Sequence, residues 1–319
     1  MATRATRSAS SASSNHDDPP PRHLLELSHD ELGVIVDGLA DPLQPVVAVS
    51  LSSTCKGLRT PMQAALEVLK EWHRKVKELC RTGSLRCNAP ELGHPSLGIS
   101  FTQLRDAGHL SWPRGALHGP GTAALGMILR TQGLPMLDSL WLGSTCIDDT
   151  GMQGLFQGLG RGAAPSLRNL HLGSNKFGLA GAEALATALC RDAMPKLGWL
   201  HLGGNSIGSQ GLTVLAASLR KMPALHWLEV SNCGTGDEGV VSLFSNLGKD
   251  DFKELKVIFI DGNKFGDDGC AALVSALDKG AMLKLHLISL GPVSLLSNSL
   301  GDEAHAALVQ AAARRDIRL

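Results

Sequence analysis

Three residues recur at nearly equal steps and carry groups that could bind a metal or move a proton: His171, His201 and Glu229. Their separations are 30 and 28 residues. Two imidazoles and a carboxylate form a ligand set for a divalent metal when they converge, and parallel strands about 4.8 Å apart would bring them close. Convergence alone does not make a catalyst. Metal chemistry also needs an enclosing pocket and hydrogen-bonded outer partners, which an open sheet face lacks. The chain contains no phosphate loop or His-Glu-x-x-His motif. A hydrogen-bonded row in a protein-binding surface is therefore the expected role, and a metal-dependent enzyme is the remote alternative. Cys80, Cys87 and His94 offer zinc-type ligands, but no fourth ligand accompanies them. Neither a metal nor a cofactor is expected.

The equal steps come from a repeat. Six copies of one pattern open at Leu137, Leu167, Leu197, Leu225, Leu255 and Leu285. Each reads L-x-x-L-x-L-x-x-N-x-Φ-G-x-x-G-x-x-x-L-x-x-x-L, with Φ apolar, as in LRNLHLGSNKFGLAGAEALATAL at residues 167–189. Positions four and six (Leu170, Leu172) point the same way from a short strand. Asn175 follows where the chain must turn, and its amide can serve backbone groups that no strand satisfies. Ala182, Leu185 and Leu189 then recur at helical spacing. One copy cannot bury its strand and helix faces alone, so neighbouring copies must stack around a shared core. A degenerate seventh copy is expected to open near Ala107.

This pattern resembles the leucine-rich repeat, and its 28–30-residue length with a helical second half is similar to the ribonuclease-inhibitor-like subtype. The resemblance implies an α/β solenoid: a horseshoe with a parallel inner sheet and outer helices. Positions three and five of each strand then line the inner curve. At three stand Ser139, Asn169, Trp199, Trp227, Val257 and Leu287; at five, Trp141, His171, His201, Glu229, Phe259 and Ser289. Aromatic carbon exposed in a contiguous patch is unfavourable unless something covers it. Trp141, Asn169, His171, Trp199, His201, Trp227, Glu229, Val257 and Phe259 are accordingly the expected partner-binding surface. Asp138, Arg168, Lys256 and Asp261 are expected to tune its selectivity. The competing reading is that these bulky side chains pack on one another across strands.

The 319 residues carry 30 basic and 30 acidic side chains, a balance that does not point to nucleic acid or an anionic membrane. No apolar run approaches 18 residues, so no transmembrane helix is expected. Seven cysteines without paired spacing suggest reduced thiols in the cytoplasm or nucleus. Cys146, Cys190, Cys233 and Cys270 fall inside repeats and read as small core residues. The protein is expected to be a monomer on its own.

Residues 1–22, rich in serine and proline, read as a disordered tail. Residues 23–88 read as a small all-helical module, with Ser28 and Glu31 forming a capping box and Pro61 opening a longer helix. LSHDELGVIVDGL at residues 27–39 resembles the opening of an F-box: Leu27, Asp30, Leu32, Ile35 and Leu39 match, with Ser28 at the usual proline. LSSTCKGLR, residues 51–59, looks like its closing helix. That resemblance implies an adaptor-binding role for those five residues, toward a Skp-type adaptor of a cullin ubiquitin ligase. The alternative is a helical cap over the first repeat. Residues 89–106 read as a linker, and 107–319 as the repeat domain. In the sixth copy, residues 291–297 hold an insertion expected to loop out. Arg314, Arg315, Asp316 and Arg318 are expected to make the final helix a polar C-terminal cap. The function expected from all this is non-enzymatic binding of a protein partner on the concave face; the alternative is an F-box-type substrate receptor.

Overall fold

The computed structural model describes residues 63–82, 98–117, 119–131, 134–248, 250–291 and 298–319. Seven three-residue strands form one parallel sheet in sequence order. They are β1 (His109–Ser111), β2 (Ser139–Trp141), β3 (Asn169–His171), β4 (Trp199–His201), β5 (Trp227–Glu229), β6 (Val257–Phe259) and β7 (Leu287–Ser289). The register matches the leucine alignment throughout: Leu110 faces Leu140, then Leu170, Leu200, Leu228, Ile258 and Ile288. His109 pairs with Ser139, which sets the degenerate copy at Ala107 one 30-residue step before Leu137.

Helices follow the strands on the other layer. Chain order gives α1 (Gln63–Thr82), α2 (Phe101–Arg105), α3 (Gly119–Arg130), α4 (Asp149–Phe156) and α5 (Leu179–Cys190). After these come α6 (Gly208–Lys221), α7 (Gly236–Phe244), α8 (Asp267–Asp278) and α9 (Asp302–Ala313). From α3 onward each helix packs on the next, and α1 packs on α3, as stacking of incomplete units requires. Between the layers runs one continuous core that includes Leu170, Leu172, Phe177, Leu185, Leu200 and Leu202. Burying one such leucine contributes about 1.5–3 kcal/mol.

The turns are held by a chain of amides. Asn175 Nδ2 donates to the carbonyls of Leu142 (2.7 Å) and Leu172 (2.8 Å), while its Oδ1 accepts from the Ile147 amide at 3.0 Å. Asn205 repeats this one coil later, accepting from the Asn175 amide and donating to Leu172 and Leu202. Asn263 serves Cys233, Val230 and Ile260, and Asn298 Oδ1 accepts from the Asn263 amide. Cys233 holds the fourth copy's place with a thiol that reaches Leu202 O at 3.5 Å. Burial pushes that thiol up to about 12.

Carboxylates in one coil cap the helix of the next. Asp149 Oδ1 accepts from Gly178 N and Gly181 N, both at 2.7 Å, at the start of α5. Asp237 does the same for Gly266 and Gly269 at α8, and Asp267 reaches Gly301 before α9. These amides are the orphan donors of helix starts that lack a capping side chain of their own.

Several expectations need correction. Cys146 and Cys190 are exposed, not core: Cys146 sits one residue past the buried turn residue Thr145, and Cys190 ends α5. The span read as a linker holds α2, because Ser100 and Gln103 form a capping box that glycine and proline signals upstream mask. Leu104 of α2 is buried. The C-terminal arginines lie beyond α9. Arg315 donates to the carbonyls of Leu277, Ala281 and Met282 and so caps α8, while Arg314 pairs with Asp278. Arg318 bridges to Leu287 on β7.

At the first coil, α1 packs on α3, and its Val76 and Leu79 join the shared core. Trp112 Nε1 donates to Leu79 O at 3.2 Å and ties helix to sheet. The F-box-like stretch (Leu27, Asp30, Leu32, Ile35, Leu39 and residues 51–59), the tail at 1–22, and 292–297 of the insertion lie outside the described residues.

Candidate functional site

Alternation along three-residue strands fixes which side chains can reach the concave face: positions three and five point away from the leucine core. Trp199 and His201 flank Leu200 on β4, Trp227 and Glu229 flank Leu228 on β5, and all four flanking side chains are part-buried between core and solvent. In-register pairing puts His171 beside His201, Trp199 beside Trp227, and Glu229 beside Phe259.

The rings touch from strand to strand. Trp141 stacks on His171 with centroids 5.0 Å apart and planes 20° from parallel. Trp141 and Trp199 stand 5.5 Å apart, Trp199 and Trp227 6.2 Å, and Trp227 and Phe259 5.0 Å. His171 meets His201 edge-on at 4.0 Å. The distances between the tryptophan and phenylalanine rings fall in the range where aromatic pairs attract one another. The rings cover each other across strands, and the row still keeps a solvent-facing side. Val257 is the exception, buried at 6% exposure between its neighbours.

Glycines give the imidazoles their seats. A Cβ at Gly143 would lie 2.4 Å from His171 Cε1, and one at Gly173 would lie 2.5 Å from His201 Nε2. Both rings thus rest on bare backbone one coil back, where any side chain would displace them. The glycines in LGST and LGSN stand at an unassigned position of the repeat pattern. Their signal was a histidine one period later, at position five.

His201 Nε2 lies 3.2 Å from Glu229 Oε1. No group of three histidine, cysteine or acidic side chains is placed to hold a metal among the described residues. His171 packs edge-on against His201, whose imidazole in turn pairs with the Glu229 carboxylate. For the cysteine cluster, Cys80 is buried in the α1 interface, and Cys87 and His94 lie outside the described residues.

Polar pairs frame the row. Asn169 Nδ2 donates to Ser139 Oγ (2.8 Å) and Asp138 Oδ2 (3.2 Å), and Arg168 Nε lies 3.2 Å from Asp138 Oδ1. At the other end, Asp261 accepts from Ser231 Oγ at 2.9 Å and from Ser289 Oγ at 2.8 Å.

A parallel sheet in sequence order, repeating leucines and the asparagine chain at the turns define a leucine-rich repeat solenoid. The Leucine Rich repeat family model matches residues 163–186. Among solved structures, the chain is similar to an internalin (InlF) from Listeria monocytogenes, at 18% identity and a TM-score of 0.35. The match covers 67% of this chain and 61% of the internalin, so the chain spans about three fifths of that protein's length. Among curated proteins, none matches this sequence.

Proposed function

We propose that the protein is a non-enzymatic interaction module that holds a protein partner on its concave face. One observation carries this reading: Trp141, Trp199, Trp227 and Phe259 form an unbroken row of part-exposed rings over five strands. Water gains nothing from such a row, whereas burying a central ring at an interface contributes about 2–4 kcal/mol. A face this wide and open suits a macromolecular surface better than a small molecule, which needs enclosure.

The test is a quantitative co-purification from cells with the full chain and with a Trp141→Ala, Trp199→Ala variant. The variant is expected to lose the partner recovered by the native chain while keeping its circular dichroism. Undiminished recovery of that partner would place the binding surface elsewhere.

The resemblance at residues 27–59 supports a second, finer reading, a substrate receptor that also binds a Skp-type adaptor. The packing of α1 on α3 favours a cap role for residues 63–82 instead. Pull-down of a Skp-type adaptor by the full chain separates the two readings. The five described cysteines are free thiols, which supports a reducing compartment such as the cytoplasm or nucleus.

A further inference from the structure

The carboxylates beside the sheet divide into two groups. Asp138 meets Arg168, and Glu254 meets Lys284 at 2.7 Å. Glu229 and Asp261 have no such partner. Among the described residues no lysine or arginine pairs with either, and their neighbours are the His201 imidazole and the Ser231 and Ser289 hydroxyls. A carboxylate offers about four acceptor sites, so each keeps capacity for further donors.

These two acids sit beside the Trp227–Phe259 end of the aromatic row. Glu229 pairs in register with Phe259, and Asp261 follows Phe259 by two residues toward the strand ends. Phe259 in turn lies 5.0 Å from Trp227, at 31° between planes. Two π-faces and two anionic acceptors thus occupy one patch spanning β5 to β7. The two serine hydroxyls fix the orientation of Asp261 in advance. Lys256 immediately precedes β6 at the opposite edge and is exposed, so the negative end of this part of the face is the strand-end edge.

We infer that the patch formed by Trp227, Glu229, Phe259 and Asp261 receives an arginine side chain of the protein partner. This rests on the proposed concave-face function and specifies its chemistry. A guanidinium is planar and weakly hydrated, so it lies flat on an indole or phenyl ring. Its forked donors meet carboxylates edge-on. An ammonium can supply the charge but not the flat stack. The partner's arginine would stack at Trp227 and Phe259 and point its N–H groups at Asp261 and Glu229.

The full chain can be probed directly with N-acetyl-arginine amide, and with N-acetyl-citrulline amide as its uncharged counterpart. The indole N–H resonances of the five tryptophans are followed by NMR, with Trp227 assigned by Trp227→Phe. The arginine compound is expected to shift the Trp227 resonance saturably. Citrulline, and arginine with the Asp261→Asn variant, should bind at least about tenfold more weakly. Equal responses to arginine and citrulline, or no saturable shift of the Trp227 resonance, would overturn the inference. Co-purification with Asp261→Asn and Glu229→Gln separates the two levels. If these variants keep the partner that Trp141→Ala, Trp199→Ala loses, the face binds but not through an arginine. If all of them keep it, the concave-face reading itself fails.

Discussion

Two periodic rows run the length of the same sheet, and they behave in opposite ways. The turn asparagines Asn175, Asn205 and Asn263 are buried, and each spends its amide on backbone groups of its own coil and the one before. The aromatic row at positions three and five touches itself but stays part-exposed, with acids at one end that pair with no lysine or arginine among the described residues. One row is closed, and its chemistry is used up in holding the coils together. The other is left open toward solvent. Residues that recur from coil to coil build the solenoid, and residues that vary at a fixed register form the open face.

Three changes break or sharpen that contrast. The largest effect is expected from Leu200→Asp, which places an unpaired charge at a position with no solvent exposure. The cost should exceed about 4 kcal/mol and unfold the neighbouring coils, visible as lost helical circular dichroism. Asn205→Ala comes next. It strips hydrogen bonds from Asn175 N, Leu172 O and Leu202 O together, and urea denaturation should register a loss of about 3 kcal/mol. A negligible change would mean that water replaces the amide, and that the closed row is not closed. Gly173→Ala is the smallest, at about 1–2 kcal/mol, because an imidazole can swing aside where backbone cannot. Adding His201→Ala should cancel most of that cost in a double-mutant cycle. Simple additivity would mean that the ring is not seated on Gly173.

The closed row was legible because it repeats. Leucines at one, four and six, the turn asparagine and the helix leucines fixed strand register to the residue, including the degenerate coil at Ala107. The open row was legible only as a direction: alternation put Trp199 and His201 on the face, but not how far each ring would cover the next. Val257 is buried there, although its position matches that of Trp227. Contacts between coils were harder to see. Asp149 and Asp237 cap helices 29 or more residues further on, a pairing that no local capping pattern contains. The shared register of Asp149 and Asp237 was the available clue. Cys146 and Cys190 deceived because membership of a repeat says nothing about which side of the turn or helix a residue occupies.

The last described strand is not left bare along its outer edge. A parallel sheet normally presents its final strand as a row of unused amides and carbonyls on which a further strand could grow. Here Ile288 N donates to Arg318 O, and Arg318 N donates to His286 O. The chain therefore lays its own short plug along that margin, and Arg315 locks the plug by gripping three carbonyls at the end of α8. A neighbouring molecule seeking to polymerise edge to edge would first have to pry Arg318 loose.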